Sequence, residues 1–261
     1  MKALGIAATG MQAQQTNVDV ISNNIANANT TGFRAARAAF QDLMYQSRTE
    51  AGGLVAEGAA ARPVGFDVGL GVQAAGTIRN TSQGGLNETG GSLDMAIEGR
   101  GFFAVERADG STAYTRDGSF QVSAEGELVT MTGARVSPGI AIPEEATGVE
   151  ISRDGVVTAF MDGDPEPVEL GEITLAGFVN EAGLKPLGDN LMGETAASGA
   201  PIVGTPGEDG LGALRQGYLE GSNVNIIEQI TRMITAQRAY EMNSKTIQTA
   251  DNMLQAAGRL K

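Results

Sequence analysis

The sequence predicts an α+β protein whose N- and C-terminal helices pack as a coiled-coil-like domain, with an antiparallel, β-rich sandwich or barrel-like body between them. Two observations predict this class. Apolar residues recur at seven-residue spacing at both ends of the 261-residue chain, and short strand-like runs separated by glycine turns fill the middle. Because these strands follow one another without intervening helices, the pattern favours an antiparallel sheet.

The N-terminal segment carries two rows of residues with the heptad spacing of helices that pack against other helices. The rows are Leu4, Met11, Val18 and Ile25, and Ala7, Gln14, Ile21 and Ala28. Beside them, Asn17 and Asn24 also recur at seven residues, where an amide can fix the register of a helix pair. Gly5 and Gly10 lower the helix propensity, so this helix is expected to need a partner.

The C-terminal segment repeats the pattern. One row is Ile226, Met233, Tyr240, Ile247 and Leu254, and the companion row of small or polar residues is Gln229, Ala236, Asn243, Ala250 and Ala257. Ile227, Ile230 and Ile234 widen the apolar face near its start. Asn225 and Glu228 have the spacing of a capping box, so the helix is expected to begin there and to run to about residue 258. The two terminal helices could pair within one chain or pack between chains, and the pattern allows both.

The stretch ANANTTGF, residues 26–33, predicts a break after the first helix. Asn27, Asn29 and Gly32 suit the left-handed conformation that ends helices, and a threonine there can cap the next one. The following residues, 33–46, have helical spacing of Phe33, Arg37, Phe40 and Met44, which predicts a second short helix.

Residues 46–65 are rich in glycine and alanine and predict a linker or extended loop. Beyond them, strands are predicted within 101–133, 149–161 and 172–181, and loops with short strands within 183–216. Asp-Gly or Glu-Gly dipeptides at 109–110, 117–118, 125–126 and 154–155 predict hairpin turns.

Composition excludes several kinds of chemistry. The chain has no Cys and no His, which excludes thiol nucleophiles, His-based triads and Cys/His zinc sites. The glycine-rich runs do not open a helix after a strand, so no phosphate-binding loop is predicted. We expect no catalytic residue, no metal site and no cofactor.

Charge is distributed unevenly along the chain. Residues 1–40 and 222–261 each carry +2, whereas 41–221 contains 10 basic and 27 acidic residues, a charge of −17. An acidic body would repel phosphates, so nucleic acid is not an expected partner. The first residues, MKALGIAATGMQAQQTN, lack the apolar core of a secretory signal, so export would need another route.

Three long strings resemble the axial proteins of the bacterial flagellum, the flagellar basal-body rod protein family, and within it the distal rod proteins. They are MQAQQTNVDVISNNIANANTTGFR, IEGRGFFAVERADGSTAYTRDGSFQVSAEGELVT and ETAASGAPIVGTPGEDGLGALRQGYLEGSNVNIIEQITRMITAQRAYEMNSKTIQTADNMLQ. The resemblance covers nearly the whole chain and departs mainly within 46–65.

The resemblance implies a structural subunit that polymerises helically into a hollow, rigid drive shaft carrying torque from motor to hook. It implies export by the flagellar type III apparatus without a cleaved signal peptide, and a location from the periplasm to the outer membrane. Implied partners are further copies, the proximal rod proteins, the hook protein, and the P and L ring proteins. The terminal helices would line the central channel, and the β-rich body would face the rings.

On this basis we expect four regions. Residues 1–32 and 222–261 form the terminal helical domain, 33–72 connects it, with 46–65 as the rod-specific part, and 73–221 forms the outer domain. The expected assembly interface is Leu4, Met11, Val18, Ile21, Ile25, Ile226, Ile230, Met233, Tyr240, Ile247 and Leu254. Alternatives are a proximal rod or hook protein of the same family, or a secreted β-rich carbohydrate-binding or cleaving protein.

Overall fold

The structure is a computed structural model that describes residues 2–49, 65–161 and 167–259. The chain divides into two compact units. The helical unit consists of Met1–Ala26, Ala36–Ile78 and Asn225–Lys261, and the β unit consists of Asn27–Ala35 and Arg79–Val224. The chain passes between the two units four times, so both units are discontinuous in sequence.

The helical unit contains the two long helices predicted from the heptad rows. α1 spans Lys2–Ala26 and α2 spans Ile226–Arg259. At 34 residues, α2 is about 51 Å long at the usual rise per residue. Neither described helix is long and apolar enough to cross a lipid bilayer. The presence of the two predicted terminal helices is confirmed.

Two strand pairs complete the helical unit, and they correct the predicted helix over 33–46. β1 (Ala36–Asp42) pairs with β4 (Val72–Arg79), and β2 (Tyr45–Thr49) pairs antiparallel with β3 (Phe66–Gly69). The helix prediction was wrong because the helix propensity of these alanines contributes less to stability than the pairing of this segment with a strand that is distant in sequence. The predicted loop over 46–65 overlaps β2 at residues 46–49, whereas 50–64 lie outside the described residues.

The β unit contains sixteen strands among the described residues, in four sheets. The largest sheet has nine strands: β7 (Phe102–Glu106), β8 (Thr112–Thr115), β9 (Phe120–Val122), β10 (Leu128–Thr130), β11 (Arg135–Val136), β15 (Leu175–Gly177), β16 (Lys185–Gly188), β17 (Leu191–Gly193) and β18 (Ile202–Gly204). A three-stranded sheet contains β12 (Ala146–Ile151), β13 (Val156–Met161) and β14 (Val168–Glu172). Two pairs join β6 (Met95–Glu98) to β19 (Ala213–Gln216), and β5 (Leu86–Glu88) to β20 (Tyr218–Glu220).

The largest sheet is open rather than closed. Its main path runs β16-β17-β8-β7-β11-β10-β9, and the described residues show no pairing between the end strands β16 and β9. β15 and β18 join this path through β7. The β-rich body is therefore confirmed as antiparallel in its described ladders, and these strands form no closed barrel.

Three of the four predicted hairpin turns are present. Gly110, Gly126 and Gly155 all adopt positive φ and connect β7 to β8, β9 to β10, and β12 to β13. The turn predicted at 117–118 makes no hairpin, because β8 pairs with β7 and β17, whereas β9 pairs with β10. Gly118 instead lies against the backbone of Met95, whose carbonyl would be 1.6 Å from an added Cβ.

Strand β7 is buried on both faces and organises the core. Phe103 and Val105 point into the larger apolar cluster, and Phe102 and Ala104 point into a second one. Phe103 meets Phe120 edge-on, with the ring centroids 5.1 Å apart. The near-continuous apolar run of this strand follows from its two buried faces.

Candidate assembly surface

The two helices of the helical unit pack antiparallel through the small residues of α2. Gln229, Ala236 and Ala250 of the companion row are buried, and Ala7, Ala13, Ile21 and Asn24 are the buried residues of α1. Asn24 donates to Gln229, and Gly10 lies beside Asn243, so positions rise along one helix as they fall along the other. A Cβ added to Gly10 would lie 3.0 Å from the Asn243 side-chain amide, so glycine lets this side chain pack closely at the crossing.

The row of large apolar residues on α2 is left largely uncovered. Ile226, Ile230, Tyr240 and Leu254 are each 43–46% exposed, and Met233 and Ile247 are half-buried. Ile227 and Ile234, which widen this row, are 79% and 46% exposed. Exposed apolar side chains that recur at helical spacing are typical of an interaction surface. We refer to Ile226, Ile227, Ile230, Ile234, Tyr240 and Leu254 as the α2 apolar row.

The predicted interface residues of α1 are less available. Ile21 is 3% exposed, and Leu4, Met11, Val18 and Ile25 are half-buried. Ile21 therefore contributes to packing within the subunit, whereas the half-buried side chains retain surface for a further neighbour.

Asn24 fixes the end of α1 against β1 and α2. Its side-chain oxygen accepts from the Ala36 amide at 2.9 Å, and its amide donates to the Ala36 carbonyl at 2.7 Å and to Gln229 Oε1 at 3.1 Å. The side chain is 1% exposed, so all these bonds are shielded from water. The sequence pattern had indicated a register-fixing amide here, but not a bond to a strand.

The residues predicted to end α1 and to cap α2 match their predicted roles only in part. Asn225 caps α2, since its Oδ1 accepts from the Glu228 amide at 3.2 Å. The Glu228 carboxylate pairs with Arg232 at 2.6 Å instead of closing the capping box. Of the three residues predicted to be left-handed, Gly32 has a φ of +66°, whereas Asn27 and Asn29 do not have positive φ. Asn27 accepts from Thr30 in a turn, and no helix follows.

In the β unit, residues 27–35 form an ordered segment. Gly32 donates its amide to the Glu220 carbonyl at 2.8 Å, and Asn223 Oδ1 accepts from the Ala35 amide at 2.7 Å. Thr31 donates its hydroxyl to Asp117 at 2.9 Å. A Cβ on Gly32 would lie 2.7 Å from the Asp117 amide nitrogen, so the position needs glycine for both its φ and its space.

A buried ion-pair triad holds this segment. Glu220 is 1% exposed and accepts from Arg34 Nη2 at 3.0 Å, from Arg116 Nη1 at 3.1 Å and from the Gly84 amide at 2.9 Å. Arg34 also donates to the Ser82 carbonyl, and Arg116 lies 5.3 Å from the centre of the Phe102 ring. Sequence reasoning missed all three residues; a signal for Arg34 was its place at the end of the ANANTTGFR string.

Burial lowers the pKa of the Arg116 guanidinium to about 10, and repulsion from Arg34 acts in the same direction. Attraction to Glu220 opposes both. At neutral pH the side chain stays protonated, and the triad combines two positive charges with one negative charge.

Within the described residues, no group of three or more acidic side chains could hold a metal ion. The triad joins parts of the chain that are far apart in sequence, and its side chains are enclosed. The geometry suits structural closure of the β unit, and the exposed α2 apolar row suits contact with other molecules.

Three family models match parts of this chain. Residues 4–34 match a family model described as flagella basal body rod protein, and 215–260 match the flagellar basal body rod FlgEFG protein C-terminal model. Residues 96–159 match the flagellar hook protein FlgE/F/G D1 domain.

Similar curated proteins cover the whole length. The flagellar basal-body rod protein FlgG of Agrobacterium fabrum is 54% identical over 97% of both chains, and that of Caulobacter vibrioides is 52% identical over 100% of both. The rod protein FlgF of Caulobacter vibrioides is 35% identical over 95% of this chain and 94% of its own. The chain belongs to the flagellar basal-body rod protein family and is a structural, non-enzymatic subunit of the flagellar rod.

Proposed function

We propose that this subunit polymerises with itself into the distal part of the rod, a hollow and rigid helical shaft that carries torque to the hook. The higher identity to FlgG than to FlgF supports the distal position. The α2 apolar row carries the proposal, because its exposed isoleucines need a partner that the isolated subunit does not supply.

The terminal helices act as the polymerising domain, with coiled-coil-like contacts between copies. The interface uses the half-buried α1 row together with Ile226, Ile230, Met233, Tyr240, Ile247 and Leu254. Residues 1–32 and 222–261 contribute these helices, 33–72 connects them and includes the rod-specific part 46–65, and 73–221 forms a sandwich-like outer domain. The helices line the channel.

The assembled rod runs from the periplasm to the outer membrane within the basal body. Its partners are the proximal rod proteins, the hook protein, and the P and L ring proteins, and it is exported by the type III apparatus without a cleaved signal peptide. The charge of −17 over 41–221 supports contacts with proteins rather than nucleic acid.

Substitution in the α2 apolar row tests the proposal. Ile230 is 46% exposed, so Ile230→Glu should leave the monomer folded while placing a charge in the contact between copies. Thr249→Glu places the same charge at an exposed position of α2 outside the heptad positions of the α2 apolar row, and it serves as the control.

We expect rod fragments to seed elongation by the Thr249→Glu protein and not by the Ile230→Glu protein, with equal helix content by circular dichroism. Normal elongation of Ile230→Glu would exclude the α2 apolar row as the polymerising surface.

A further inference from the structure

The β unit contains a cavity of about 630 Å³ that no role described above uses. The segment following β4, the turn between β6 and β7, and the short helix at Glu181–Gly183 form its walls. Its lining includes Thr81, Gly99, Arg100, Arg116, Asn180 and Glu181. The walls therefore combine hydroxyl, amide and guanidinium donors with one carboxylate.

The charges at this cavity do not balance. Arg100 Nε pairs with Glu181 at 3.0 Å, and Arg116 and Arg34 share Glu220. In these ion pairs of the described residues, three guanidiniums are matched by two carboxylates, which leaves a formal charge of +1. The imbalance lies in the buried triad, where an uncompensated charge is costly.

One donor of Arg116 also lacks a partner. The side chain is 3% exposed, and its Nε has no hydrogen-bond acceptor among the residues that the structure describes. Its two terminal nitrogens are occupied, by Glu220 at 3.1 Å and by the Gly99 carbonyl at 2.7 Å. An anion in the adjoining cavity would compensate the charge and offer acceptors to the arginines of its wall.

We propose that this cavity binds a carboxylate group. Guanidinium groups recognise carboxylates through paired, charge-assisted hydrogen bonds. Arg100 is 68% exposed and so provides a cation that a ligand can reach from solvent. The chain's 31 acidic residues make an acidic side chain of a neighbouring copy one source, and a small free carboxylate is the other. The first source rests on the proposed polymerisation, whereas carboxylate binding itself does not.

Binding is tested on the dilute full-length monomer, so it is independent of assembly. Malonate is titrated against chloride at constant ionic strength, and the Nε–H resonance of Arg116 is followed by nitrogen-15 NMR. We expect a saturable shift of this resonance. The absence of a saturable shift would overturn the proposal.

Two variants at the cavity should move the affinity in opposite directions. Arg100→Gln should weaken malonate binding about fivefold, and Glu181→Gln should strengthen it by a similar factor, through the change of one charge near a partly screened site. Arg153→Gln is the matched control, because Arg153 is 78% exposed and does not line the cavity. Equal affinities in all three variants would contradict binding at this cavity.

Seeded elongation then distinguishes the two sources. If a neighbouring copy inserts an acidic side chain, malonate should slow elongation of the wild-type protein and have less effect on the Arg100→Gln protein. If free carboxylates occupy the cavity in the polymer, malonate should bind without slowing elongation. A failure of all elongation would instead count against the proposed polymerisation and leave the result from the monomer standing.

Discussion

Replacing Glu220 with glutamine should severely destabilise the β unit. The carboxylate is 1% exposed and contacts Arg34 at 3.0 Å and Arg116 at 3.1 Å. Glutamine has the same shape, but it leaves both buried guanidiniums without a counter-charge and points an amide donor at one of them. Breaking a buried pair in this way costs about 3–5 kcal/mol, a large part of the roughly 5–15 kcal/mol by which domains are stable.

Native-state hydrogen exchange measures this loss of stability at backbone amides in the most deeply buried part of the core. Phe103 and Val105 lie in β7 and their side chains are fully buried, so the exchange of their amides reports the opening of the β unit. Glu208→Gln is the control: this exposed acid should change the free energy of opening by no more than about 0.5 kcal/mol. If Glu220→Gln changed it as little as the control does, the triad would not be what closes the β unit.

Three further predictions concern single positions. Gly32→Ala should destabilise the β unit by about 1–3 kcal/mol more than Gly90→Ala, because both have positive φ but only Gly32 is crowded; equal losses in urea unfolding would refute the clash. Asn24→Ala should lower the free energy of unfolding of the helical unit by about 2–3 kcal/mol, because the amide and carbonyl of Ala36 lose their buried hydrogen-bond partner. Gln15→Ala, at an exposed position of the same helix, should change it little. Similar melting curves for the two variants would refute this prediction. Burial, and secondarily the charge of Glu194, raises the pKa of the Tyr114 phenol. The protonated phenol therefore stabilises the fold below pH about 10, the ordinary pKa of tyrosine. This stabilisation is lost as the pH rises through the higher pKa of the folded state. Tyr114→Phe should remove one phenol with a raised pKa from the alkaline absorbance titration, and an unchanged titration curve would contradict the assignment.

The terminal helices were predictable because a seven-residue period is a local property of the sequence. The period also separated the two rows of α2, although it did not say which row would be covered within the subunit. The small row is covered, because Ala236 and Gly10 let the helix backbones approach closely, and the larger side chains of the other row remain outside.

Non-local pairing accounts for the main error. Residues 36–42 have the alanine content and spacing of a helix, yet they form β1 beside β4, and Ala36 both accepts a hydrogen bond from Asn24 and donates one to it. Local propensities of a few tenths of a kcal/mol per residue do not outweigh a strand partner and a buried amide. The hairpin expected at 117–118 failed similarly, because its backbone packs against Met95.

The buried triad could not be predicted from spacing at all. Arg116 and Glu220 are 104 residues apart, and neither occurs in a run of charges that would distinguish it. Only the fold brings the two together, through β8 and β20, and their burial, which Arg34 shares, distinguishes them from the other charged residues that the structure describes.

The late position of Glu220 also sets an order of events during synthesis. A ribosome makes Arg34 and Arg116 long before it makes the acid that neutralises them, and the strand carrying that acid, β20, is the last strand that the structure describes. A polypeptide that lacks residue 220 holds two cations with no carboxylate to neutralise them in the buried site, so native closure of the β unit must wait until β20 has been made. A nascent chain consequently keeps these arginines open to water until that strand emerges.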